Sequence, residues 1–177
     1  MLKGGDMEKG YIHIYTGNGK GKTTAAFGLA IRAALSGKKV FIGQFVKDMK
    51  YNETKIENYL SNIKIKQLGR GCFIYEDPED IDKETAKNGL EECGVILSGG
   101  EYDLVILDEI NIALYYKLFE VSDVVDVLNN KAVDTEVVLT GRYAPKELID
   151  MADLVTEMVE IKHYYSQGVL SRSGIDC

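Results

Sequence analysis

The chain has 177 residues, a formal net charge of −7, 45% hydrophobic and 28% charged side chains. That is enough for one compact core and short for two. The acidic balance argues against broad binding to a nucleic-acid phosphate backbone, and no apolar run approaches the roughly 20 residues of a membrane span.

The opening "MLKGGDMEKG" has no apolar h-region, so it reads as a flexible arm over residues 1–10 and not as a signal peptide. Residues 11–177 read as a single α/β domain. Strand-like apolar runs stand at 11–16, 39–45, 63–68, 103–109, 135–141 and 154–161, and helical stretches at about 22–36, 53–61, 80–98, 121–129 and 145–151. The first, second, fourth and fifth strands are near-continuous aliphatic runs, as expected where both sheet faces are covered. The alternation predicts right-handed crossovers and a three-layer α/β domain with a mostly parallel sheet of about six strands, which the loop after the first strand makes a P-loop (RecA-like) domain.

Between the first strand and the first helix lies "TGNGKGKTT". Gly17, Gly19 and Gly21 allow positive φ and close approach, so that successive N–H groups, with Asn18 among them, face phosphate oxygens at a helix N-terminus. Lys22 is placed to reach a phosphate, and Thr23, followed by Thr24, to ligate Mg²⁺. Lys20 adds a second cation inside the loop. Thr16 holds the place where the usual pattern has glycine. Further on, "DLVILDE" ends a strand in Asp108 and Glu109. Ligands of open α/β sheets sit beyond the carboxyl ends of the strands, so this pair belongs beside the loop as a metal carboxylate site.

Other residues are less specific. Arg32 reads either as a solvated cation near a helix C-terminus or as a nucleotide contact. Gln44 and Lys47 follow the second strand, and Arg142 follows the fifth. His13 reads as a packing residue. The acidic run 75–84 reads as a solvated helix start capped by Asp80 or Asp82, or as a docking face for a reducing flavoprotein. Cys72, Cys93 and Cys177 follow no zinc spacing and form no even disulfide framework, which fits a reducing cytoplasmic compartment. The loop alone leaves the chemistry open. An ATPase, a small-molecule kinase, a transferase that moves the nucleoside part and a non-catalytic ATP-binding module all use such a loop.

Longer blocks carry a resemblance. "TGNGKGKTTAAFGLAIRAALSGKKVFIGQFVK", "LVILDEI", "VVLTGRYAPKELIDMADLVTEM" and "IKHYYSQGVLSRSGID" resemble, in order and over about residues 11–176, the ATP:cob(I)alamin (corrinoid) adenosyltransferases of the CobA/BtuR type. The resemblance implies a homodimeric α/β enzyme that moves the 5′-deoxyadenosyl group of MgATP to the cobalt of a reduced corrinoid and releases triphosphate. It further implies nucleotide bound in reverse orientation to ordinary P-loop proteins. Phe73 and Tyr75 fall where the family carries a Phe-x-Trp pair that excludes the lower cobalt ligand. Tyr75 replaces that Trp, Cys72 is an added residue, and Asp48 replaces a glycine. By the same resemblance Arg142, Asn52 and Glu53 line the cleft, and His163, with Gly168 and Gly174, closes over nucleotide or corrin.

Overall fold

Side chains of a strand alternate between faces, and here the alternation sorts them into two apolar layers. On the strand Val40–Gln44 (β2), Val40 and Ile42 join one layer and Phe41 the other. On Leu104–Asp108 (β4), Leu104 and Ile106 part from Val105 and Leu107 in the same way. The first layer is closed by the helix Lys22–Leu35 (α1) through Ala26, Phe27, Ala30, Ala33 and Ala34, whose small side chains bring the helix close to the sheet. The second is closed by Asp80–Gly99 (α2), Ile110–Tyr115 (α3), Val121–Asn129 (α4) and Lys146–Met151 (α5). The result is a helix–sheet–helix sandwich. The computed structural model describes residues 9–47, 51–69 and 78–176.

With Ile12–Thr16 (β1), Ile63–Gln67 (β3), Glu136–Thr140 (β5) and Leu154–Glu157 (β6), the sheet has six strands in the order β3-β2-β4-β5-β1-β6, and every pairing is parallel. All carboxyl ends therefore share one rim. Two expectations change. The sixth strand stops at Glu157 and not at 161, because Met158 turns its backbone onto the loop after β1. The cap of α2 is Glu79, with Asp82 returning the bond to the Glu79 N–H, and neither Asp80 nor Asp82 is the cap. Pro78 and an extended Glu79 set that start one residue earlier. The short helix α3 was not expected at all. Of the arm at 1–10, only Lys9 and Gly10 are described, and Asp48, Cys72, Phe73, Tyr75 and Cys177 also lie outside the described residues. Cys93 lies on the buried face of α2, and burial pushes its thiol up to about 12.

Candidate nucleotide and acceptor site

The loop between β1 and α1 is shaped by close contact. A side chain at Gly17 would meet the Met158 carbonyl oxygen at 2.4 Å, and one at Gly19 would meet it at 2.7 Å. Gly17 and Gly21 also sit at positive φ, 94° and 116°. These positions need glycine for space as well as for backbone angle. The Gly19 N–H donates to the Met158 carbonyl at 2.6 Å, so the chain after β6 forms one wall of the loop.

Lys22, at the first position of α1, is buried and donates to the Gly17 and Gly19 carbonyls, both at 2.8 Å. An ammonium has three donors, so one remains for a ligand oxygen. Burial lowers the affinity of Lys22 for its proton, and Glu109 and Asp108 nearby oppose that shift.

Asp108 ends β4 wholly buried and fully used. Its Oδ1 accepts from the hydroxyls of Thr23 at 2.9 Å and Thr140 at 2.7 Å, and its Oδ2 accepts from Lys47 at 2.7 Å and Gln44 at 3.0 Å. Four donors fill the lone-pair sites of a carboxylate. Burial opposes its charge, but the Lys47 ammonium and the hydrogen bonds of Lys47, Thr140 and Gln44 prevail and hold its acidity above that of an ordinary carboxyl. Gln67 extends this array by donating from Nε2 to the Gln44 side-chain Oε1 at 2.7 Å. Glu109 follows in a left-handed conformation, φ 61°, fixed by its N–H donating to the Thr140 hydroxyl at 2.9 Å. Burial first, and Asp108 second, make its carboxyl a weaker acid than usual.

Two of the cavities at this rim share lining residues. One, of about 400 Å³, is lined by the loop from Asn18 to Thr24 and by Glu109, Arg142, His163 and Tyr164. The other, of about 730 Å³, has an apolar floor of Phe27, Gly28 and Ile31 and walls that include Lys47, Tyr51, Asn52 and Glu53. Both contain Thr23, Thr24, Glu109, Ile175 and Asp176. The structure thus brings together the loop glycines, Lys20, Lys22, Thr23, Thr24, Asp108, Glu109, Arg142 and His163.

Arg32 stands apart. It is ten residues along α1 from Lys22, about 15 Å at the helical rise, and lines a different cavity with His13, Lys38 and Glu136 at the opposite end of the sheet. A straight helix cannot present both residues to one phosphate chain, so the structure removes Arg32 from the loop site. His13 lies against Glu136, Nε2 to Oε1 2.6 Å, and is not a purely packed ring.

Three contributors were not read from sequence: Thr140, Tyr164 and Asp176. The "LTGR" block carried a signal for Thr140, a hydroxyl at the carboxyl end of a buried parallel strand. Tyr164 and Asp176 lie within the "IKHYYSQGVLSRSGID" block, but they stand 144 and 156 positions from Lys20 and nothing local pairs them with it.

Residues 8–177 match the family described as ATP:corrinoid adenosyltransferase BtuR/CobO/CobP. A corrinoid adenosyltransferase of Sinorhizobium sp is 39% identical over 174 residues, covering 96% of this chain and 81% of that protein. The corrinoid adenosyltransferases of Escherichia coli (strain K12) and Salmonella typhimurium (strain LT2) are each 32% identical over 169 residues, covering 96% of this chain and 86% of theirs. The match runs through all six strands and the loop. The chain belongs to the ATP:corrinoid adenosyltransferase family.

Proposed function

We propose that the protein transfers the 5′-deoxyadenosyl group of ATP to the cobalt of a reduced corrinoid and releases triphosphate. Besides the family, one observation carries this reading. The phosphate-loop cavity and the larger apolar-floored cavity meet at Thr23, Thr24 and Glu109, so a nucleotide and a bulky second substrate can touch there. A RecA-like ATPase or a kinase shares the loop, but neither is favoured by the relatives.

The chemistry is a displacement at carbon. The cobalt(I) electron pair forms the Co–C5′ bond, the C5′–O5′ bond breaks, and its electron pair leaves on triphosphate. Negative charge grows on the departing chain. Loop N–H groups and the third donor of Lys22 stabilise it from fixed positions, with no reorganisation at the moment of reaction. Arg142, on the same cavity, adds positive charge.

The residues present suit Mg²⁺. Thr23 and Glu109 offer hard oxygen donors, whereas Asp108, its lone pairs taken by four donors, is not the direct ligand expected from sequence and supports the ion through Thr23. That is the donor set of an ion shared with phosphate oxygens. When bound, Mg²⁺ supplies further charge neutralisation on the leaving group. Because Thr23 donates its proton to Asp108, its oxygen lone pairs are left for a ligand. Asp108 thereby acts by orienting Thr23, and Glu109 remains the carboxylate facing both cavities.

Phe73 and Tyr75 are proposed to exclude the lower cobalt ligand. Phe73→Ala then spares activity from pre-formed cobalt(I) and lowers activity that starts from cobalt(II). Equal losses from both cobalt states would remove Phe73 from that role. A homodimer is proposed from the resemblance. A flavoprotein is the proposed electron source. No described helix is long and apolar enough to cross a membrane, and a cytoplasmic location is proposed from the cysteine pattern.

The direct test is incubation with MgATP and chemically reduced cobalamin. Appearance of a light-sensitive cobalt–carbon spectrum is expected; an unchanged spectrum in the presence of bound ATP would leave a binding module as the better reading.

A further inference from the structure

Lys20 lies in the phosphate loop, yet its ammonium faces the C-terminal segment. It donates to the Ile175 carbonyl at 2.7 Å and to the Tyr164 hydroxyl at 3.1 Å, and it is paired with the Asp176 carboxylate. Those three acceptors use all three of its donors. Lys22, by contrast, keeps one donor free. Tyr164 passes its own hydroxyl proton toward Asp176, while the backbone N–H and Nε of Arg172 both donate to Asp176 Oδ2 at 3.1 Å. The Arg172 guanidinium also lies over the Tyr164 ring, 4.8 Å from its centre. One carboxylate therefore gathers Lys20, Tyr164 and Arg172. The hydrogen bond from Lys20, then that from Tyr164, holds its acidity far above that of an ordinary carboxyl.

The rest of this segment has little else to hold it. Tyr165, Leu170 and Ile175 are largely exposed, and residues 164–176 add none to the buried apolar layers. Residues 164–176 are tied to the body of the domain by the Lys20 contacts and by a hydrogen bond from Asn52 to Ser173 at 3.2 Å. Yet Ile175 and Asp176 line both cavities, so the segment is the wall that the nucleotide and acceptor sites share.

We propose that Asp176 is a positioning residue: clamped on Lys20, it holds the C-terminal segment as the partition of the acceptor cavity, and Lys20 serves this latch in place of phosphate binding. The inference rests on the adenosyl-transfer reading for its kinetic arm and on the fold alone for its proteolytic arm.

Asp176→Asn, Asp176→Glu, Lys20→Met and the Asn/Met double variant test it. Expected is a rise of about 5- to 30-fold in KM for reduced cobalamin with Asp176→Asn and with Lys20→Met, the effect of losing one or two kcal/mol of coupling. The KM for ATP stays within about 3-fold, the double variant is no worse than the worse single one, and Asp176→Glu restores near-native KM, since both residues act as one unit. Trypsin cuts after Arg172 faster in Asp176→Asn and Lys20→Met than in the unmodified protein. A large rise in the KM for ATP in Lys20→Met, beside an unaltered Asp176→Asn, would overturn the latch and return Lys20 to the phosphates. Unchanged cutting after Arg172 would overturn it as well. If the unmodified protein adenosylates no corrinoid, the activity reading fails while the cutting rates still decide the latch.

Discussion

Strand β4 and strand β6 end at the same rim but are built in opposite ways. All five residues of β4 are buried, and it delivers Asp108 into a saturated set of four donors. All four residues of β6 are exposed, and Ile161 beyond it is 95% exposed. Nevertheless the β6 side supplies the Met158 carbonyl that walls the loop and leads to the segment that divides the cavities. The difference teaches a division of labour. Charge is placed by parts that cannot move without exposing the core, and substrate walls are placed by parts held through a few polar contacts. Buried networks are costly to disturb, whereas exposed segments open at little expense.

This contrast can be broken at graded points. Asp108→Ala has the largest expected effect on stability, a loss of about 3–5 kcal/mol, because it strands the Lys47 ammonium in a buried position; urea denaturation measures it, and a loss under 1 kcal/mol would mean the network is loose. Leu107→Ala, one residue earlier and wholly buried, should cost about 2–5 kcal/mol by the same assay. Lys22→Ala should lower ATP affinity by about 100-fold in calorimetric titration, the scale of lost hydrogen bonds from a charged donor. A smaller effect belongs to pH. The buried Cys93 thiol ionises less readily folded than unfolded, so the folded state is penalised as pH rises from its ordinary value of 9.0 toward about 12. Between pH 8 and pH 10 this amounts to about 1 kcal/mol, and Cys93→Ala should flatten the curve by that much. Smallest of all, Ile161→Ser should change stability by less than about 0.5 kcal/mol. A loss as large as that of Leu107→Ala would show that β6 is covered in solution and erase the contrast.

The legible parts of the molecule are those where a repeat or a spacing reports a local requirement. Aliphatic runs marked β2, β4 and β5 because both faces of a central parallel strand are dry. The glycines and lysines of the loop marked a phosphate cradle because backbone approach demands them. Harder to read was α3, since it spans only the six residues Ile110–Tyr115, too few for a helical period to stand out after the strand. The length of β6 was overestimated because "LVTEMVEI" alternates plausibly as a strand, although its end is fixed by a backbone bond from Gly19. Arg32 illustrates a further limit. Its residue type and sequence block suited a nucleotide contact, but helical rise carries it to the far end of the sheet. The Lys20–Asp176 pair spans 156 positions, and no local pattern announces such a meeting.

The account turns on displacement at C5′ with the whole phosphate chain leaving. Phosphorus NMR on a reaction of the purified protein with MgATP and cob(I)alamin measures that step directly. One equivalent of triphosphate for each cobalt–carbon bond formed is the predicted result. Release of ADP and orthophosphate without any alkylated corrinoid would contradict it.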